Sequence, residues 1–141
     1  MAAVVADKAL LFEEFVVQEA HAGHLDLLEF APGDSAPILL HGHCHQKSLV
    51  GVQPSVDALK LIPGADVEVI PSGCCGMAGS FGYHHFDVSM AVGEQVLFPA
   101  VRNAAEGTVI AAPGTSCRHQ IHDGTETIAL HPAQILRDAL V

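Results

Sequence analysis

The stretch Pro71-Ser72-Gly73-Cys74-Cys75-Gly76-Met77-Ala78-Gly79-Ser80-Phe81-Gly82 restricts this chain more than any other. Two adjacent cysteines sit among glycines that recur every third residue, from Gly73 to Gly82. The apolar run Val67-Glu68-Val69-Ile70 leads in, and a helical pattern leads out. A strand that opens into a glycine-rich loop and then a helix is where α/β proteins hold ligands. Glycine admits positive φ and lets a bulky group approach the main chain closely. The same residues are also compatible with a tight turn over two buried thiols, because free cysteine is among the most buried residue types.

Composition narrows the options. A chain of 141 residues fits one domain, here 1–141, able to bury roughly 70% of its unfolded surface. Half the residues are hydrophobic and few are aromatic, which points to an aliphatic core. Six Lys and Arg against sixteen Asp and Glu give a net charge of -10, which argues against a nucleic-acid partner. No apolar run approaches the ~20 residues of a membrane span. The segment Met1 to Phe15 carries Asp7, Glu13 and Glu14 and lacks the basic region of a secretory signal. A cytoplasmic location is therefore expected, where four clustered cysteines bind metal or do redox work more often than they form disulfides.

In chain order, the pattern predicts a helix over Asp7 to Ala22, with Leu11, Phe12, Phe15 and Val16 inward, Glu13 and Glu14 outward, and Gly23 beyond its end. A turn is expected through Pro32-Gly33-Asp34-Ser35, then a strand over Pro37 to Gly42. Pro54 opens a short helix, and Val67 to Ile70 form a second strand. Phe86, Met90, Leu97, Val101 and Ala104 follow at helical spacing, with a kink or restart at Pro99. Thr108 to Ala112 read as a strand, Asp123-Gly124 as a turn signal, Thr127 to Leu130 as a last strand and Pro132 to Leu140 as a helix. This alternation predicts a mainly parallel sheet of about four strands with helices on both faces.

In such folds ligands gather beyond the carboxyl ends of the strands. Cys44, the pair Cys74-Cys75, and Cys117 each follow a different predicted strand at that end. Four thiolates hold zinc tetrahedrally or an iron–sulfur cluster. Structural zinc sites draw ligands in closely spaced pairs, whereas here 29 residues separate Cys44 from Cys74 and 41 separate Cys75 from Cys117. Scattered ligands flanked by Gly73 and Gly76 suit a larger group wrapped by backbone amides. Lys47 and Arg118 are candidate compensating cations and equally ordinary solvated charges, and His43, His45 and His119 are candidate outer donors or occasional ligands, although a lone histidine beside a cysteine is more often neither. His41 is expected in or at the end of its strand, His84 and His85 in solvent, and His131 at the strand edge.

The combination His43-Cys44-His45-Gln46-Lys47, Cys74-Cys75-Gly76 and Ser116-Cys117 resembles the CCG cysteine-rich domain. That family occurs in heterodisulfide reductase and in the iron–sulfur regions of FAD-linked oxidases of glycolate, D-lactate and glycerol 3-phosphate. The resemblance runs from about residue 8 to the end. It implies that Cys44, Cys74, Cys75 and Cys117 bind a 4Fe-4S cluster and relay electrons. The implied FAD belongs to a partner dehydrogenase domain or subunit, with a ferredoxin-type iron–sulfur domain as a further partner and membrane association only through such partners.

Two departures matter. The chain has Cys117-Arg118-His119-Gln120 where heterodisulfide reductase members have C-x-x-C, which speaks against their disulfide chemistry. It also carries neither the ferredoxin run of cysteines nor G-x-G-x-x-G, so it is expected to be a subunit, a cut-out domain or a remnant of an oxidoreductase, for which the resemblance implies an electron-transfer role. The rival reading is a zinc-stabilised structural or interaction domain. A phosphate-binding loop is disfavoured because no G-K-[ST] follows the glycines. Met77, Phe81 and Tyr83 are the expected docking residues beside the cysteine pair, with core packing as the alternative.

Overall fold

The computed structural model describes residues 2–6, 8–32 and 37–141. Asp7 and Gly33 to Ser35, which the sequence assigns to a helix and a turn, lie outside the described residues. The strands are β1 (Ile38–Leu40), β2 (Val67–Val69) and β3 (Val109–Ala111). They form a parallel sheet in the order β2-β1-β3, with Ile38 opposite both Val67 and Val109. The expected fourth strand is reduced to a single parallel bridge between Ala111 and Leu130. Leu130 still exchanges hydrogen bonds with Ile110 and Ala112, but Thr127 and Ile128 diverge from the ladder.

Both faces of the sheet are covered, and side-chain alternation along each strand divides the core in two. Ile38, Leu40 and Ala111 pack with Val56 and Leu59 of α4 (Gln53–Leu59), Ile135 and Leu136 of α9 (Pro132–Asp138), and Val16 and Val17 of α2 (Phe12–His21). On the other face, Leu39 and Ile110 pack with Leu97, Phe98 and Val101 of α7 (Leu97–Arg102) and Ile121 of α8 (Thr115–Thr125). The remaining helices are α1 (Ala2–Ala6), α3 (Cys44–Leu49), α5 (Phe81–His84) and α6 (Phe86–Gln95).

Several local expectations are corrected. The first helical pattern is broken before Phe12, where the Leu11 N–H donates to the Glu14 carboxylate at 2.9 Å. Helix α2 turns Glu13 inward, at 3% exposed, and leaves Phe12 and Phe15 outward. The stripe of buried Glu13 and half-buried Val16 and Val17 faces α4 and α9, so packing and not hydropathy sets the rotation. Gly23 lies just past the helix with φ +76°, as a left-handed terminator does. The pattern through Pro99 splits at Val96, as expected where a proline ring in a continuous helix would clash with the carbonyl four residues back. Helix α8 runs straight through Asp123-Gly124 to Thr125, and Glu126 ends it in the left-handed region.

Candidate metal centre

The chain visits β1, crosses to β2 on one side, then returns to β3 on the other. The point where strand order reverses lies between β1 and β3, and a crevice opens there beyond the carboxyl ends. The residues that leave those ends are His41 to Cys44 after β1 and Ala112 to Cys117 after β3. The loop after β2 delivers Cys74 and Cys75 to the same edge. Cys44 opens α3, and Cys117 lies in the first turn of α8. Cys117 is thus a helical residue packed into the core at 1% exposed.

All four cysteines are unpaired thiols, with Cys44 and Cys74 half-buried and Cys75 and Cys117 buried. The four fall into two pairs. Cys44 faces Cys74 and burial pushes the Cys74 thiol up; the Gly76 N–H, 3.3 Å from its sulfur, works against that. In the inner pair, the neighbouring Cys117 thiol holds Cys75 far below an ordinary thiol, aided by His41 and the Met77 amide. The same proximity to Cys75, with burial, drives Cys117 upward.

His41, which the sequence placed at a strand end without a role, is fully buried and completes the inner group. One of its ring nitrogens and the sulfurs of Cys75 and Cys117 lie within 4.8 Å of one another. Its Nδ1 meets Ser72 Oγ at 2.7 Å, while its buried Nε2 has no hydrogen-bond partner among the described residues. Only the third dimension could reveal this. Two residues separate His41 from Cys44, but its approach to Cys75 and Cys117 depends on the β2-β1-β3 order.

The two cations anchor loops. Lys47 donates to the carbonyls of Ser72 and of Gly73, the latter at 2.8 Å, and so ties α3 to the loop that carries the cysteine pair. Arg118 donates to the carbonyls of Ala112 and Pro113, each at 2.9 Å, at the end of β3. Gly76 has φ +98°, and a Cβ there would run into the Ser89 carbonyl of α6. Gln120 of α8 also donates to Ser89, at 3.2 Å to the carbonyl and 2.8 Å to the hydroxyl, so the cysteine loop is wedged between α6 and α8.

Of the histidines beside the cysteines, His43 caps α3 half-buried and stacks edge-on with His45 at 5.5 Å. Burial, and then the neighbouring His45, lower the basicity of His43. His45 and His119 are exposed, as are His84 and His85. His131 is the N-cap of α9, accepting from the Ala133 N–H at 3.0 Å. Gly114 lies between His43 and the inner pair, since an added Cβ would stand 2.9 Å from the Cys117 sulfur. His43, Gly114 and His131 also line a cleft of about 570 Å³ with apolar walls from Leu10, Leu11 and Phe12. Met77 is buried in the core, whereas Phe81 and Tyr83 remain exposed.

Known dehydrogenases carry a region similar to this chain. It is 30% identical over 105 residues to a protein of Escherichia coli (strain K12) that is one of the subunits of the anaerobic glycerol-3-phosphate dehydrogenase, covering 73% of this chain and 26% of that protein. It is 30% identical over 102 residues to the D-2-hydroxyglutarate dehydrogenase of the same strain, covering 70% of this chain and 10% of that protein. The chain therefore spans about a quarter, or less, of the curated relatives it matches. No family model matches. No solved structure matches.

Proposed function

We propose that this chain is an iron–sulfur electron-transfer module of a flavin-linked dehydrogenase that acts on a small hydroxylated substrate. The observation that carries the reading is the buried group of Cys75, Cys117 and His41, with Cys44 and Cys74 leaving strand ends on the same edge of the sheet. The donor set suits a soft metal: sulfur atoms and one imidazole, with the nearest loops supplying backbone N–H groups at Gly76 and Met77. The similarity to part of a glycerol-3-phosphate dehydrogenase and to a hydroxyglutarate dehydrogenase supports the class of parent enzyme.

Cys44, Cys74, Cys75 and Cys117 would hold the cluster, which when bound stores and releases one electron at a time. The chain's own part is positional. Lys47 and Arg118 hold the two loops by their carbonyls, Gly76 lets the cysteine pair pass beneath α6, and the Gly76 amide hydrogen-bonds the outer sulfur. The flavin would belong to a partner domain or subunit that meets the exposed Phe81 and Tyr83 on the helix following the cysteine loop.

A second reading has its own support. Three ligand atoms within 4.8 Å of one another suit a single zinc ion on Cys75, Cys117 and His41, holding the fold together. Anaerobic reconstitution with iron and sulfide, followed by visible absorption and analysis of iron, acid-labile sulfide and zinc, separates the two. Broad charge-transfer absorption with iron and sulfide in equal amounts is expected. Stoichiometric zinc that iron and sulfide do not displace would select the structural reading.

A further inference from the structure

The cysteines leave one group at the site without a task. His41 is fully buried, and its backbone is tied to the sheet by the hydrogen bond from its N–H to the Ala111 carbonyl at 2.8 Å. Its ring is tied by Nδ1 to Ser72 Oγ, and Ser72 is itself gripped through its carbonyl by Lys47. A buried imidazole nitrogen with no partner is expensive, because desolvation of a polar group goes uncompensated. That nitrogen is Nε2, in a ring that reaches the inner sulfur pair. The partner at Nδ1 is a hydroxyl, which can donate as readily as it accepts, so nothing obliges Nδ1 to carry the ring proton. Four thiolates already complete a four-ligand set, so the imidazole is surplus as a ligand.

We propose that His41 is a positioning residue for the cluster: its Nε2–H donates a hydrogen bond to the inner sulfurs, Cys75 and Cys117, and raises the reduction potential of the site. The inference rests on the proposed cluster-binding function. Reduction adds negative charge that spreads onto the coordinating sulfurs. A fixed N–H dipole beside them stabilises the reduced form more than the oxidised one, and the absence of water keeps the effect strong. The Ser72 hydroxyl, by donating to Nδ1, holds the tautomer that leaves the proton on Nε2. The device is specific to this fold. It needs β1 at the centre of the sheet, so that its end faces the loops from both neighbours.

The test is a dye-mediated redox titration of the anaerobically reconstituted full chain, with iron and sulfide assayed in parallel. His41→Phe should load as the wild type does and favour the oxidised state roughly tenfold more at a fixed ambient potential, equivalent to about 59 mV for one electron. His41→Gln, which keeps an N–H, should recover part of that shift, and Ser72→Ala should shift the potential in the same direction by less. A folded, loaded His41→Phe with an unchanged potential overturns the proposal. So does loss of iron from a natively folded His41 variant, which would make the imidazole a ligand. If the phenylalanine variant does not fold, Ser72→Ala decides, and an unmoved potential there overturns the proposal. A wild-type chain that takes up no iron overturns the proposed function and this inference with it.

Discussion

Among the cysteines, position in the fold separates a ligand's role from its contribution to packing. Cys44 is half-buried at a helix start, whereas Cys117 is 1% exposed within the core that includes Ile110 and Ile121. In metal-free, reduced protein, Cys44→Ala should change stability by less than about 0.5 kcal/mol. Cys117→Ala should cost about 1 kcal/mol, the scale of deleting one buried heavy atom. Both should lose cluster loading. Urea denaturation reads the two stability changes, and equal losses for the two variants would contradict the burial difference. Gly76 is a sharper case. Its φ of +98° and the Ser89 carbonyl, which occupies the space a Cβ would take, both exclude a side chain. Gly76→Ala should destabilise the chain by about 3 kcal/mol and disturb loading, whereas the same change at Gly73, which faces open space, should not. Thermal melts of the two variants make the comparison.

Helix α9 gives the clearest pH dependence. His131 accepts the Ala133 N–H through Nδ1, and Gln134 accepts the His131 N–H at 2.9 Å, so the reciprocal cap depends on a neutral ring. Burial lowers the His131 pKa; Glu13 opposes the shift and Arg118 adds to it. The unfolded chain therefore binds this proton more readily. The contribution is complete above the unfolded value of about 6.5 and is lost as pH falls below it. His131→Asn keeps an acceptor that does not titrate. Between pH 7 and pH 5.5, wild-type stability should fall more than that of the variant. Parallel urea titrations check this, and identical slopes would remove His131 from the account. Packing between elements is equally specific on the other face. Gly93 of α6 and Gly124 of α8 both press against the Phe98 ring, so the turn signal at Gly124 is a packing glycine inside a helix.

For the molecule as a whole, surface and charge bear on association. Phe81, Tyr83, Phe86 and Val88 are exposed along α5 and α6, immediately after the cysteine loop, on a chain of net charge -10. Isolated exposed apolar residues are ordinary, but several that follow one another along the chain beside the candidate metal centre suit a docking face. Tyr83→Glu should leave stability within about 0.5 kcal/mol and weaken association with the proposed flavin-bearing partner at least tenfold. A partner attracted by the acidic charge should associate more slowly as salt rises. Surface-bound kinetics at two ionic strengths test both, and unaltered binding by Tyr83→Glu would move the docking face elsewhere. No helix among the described residues is long and apolar enough to cross a membrane.

The sequence by itself determined the fold class and the edge at which the cysteines gather. Short apolar runs, each followed by glycine or proline and then a helical pattern, leave a parallel sheet as the arrangement that covers every apolar face, and each cysteine falls just beyond such a run. Only the tertiary structure decided what depended on neighbours distant in sequence. Leu130 pairs with Ala111 but the residues before it do not join the ladder, so a predicted strand became a bridge. Glu13 turned inward because α2 is oriented by α4 and α9, and Cys117 became core because α8 begins at Thr115. His41 acquired its place beside Cys75 and Cys117 for the same reason. Hydropathy and spacing report what a residue prefers along its own element, while strand order determines which loops meet, and that order is a property of the packed sheet.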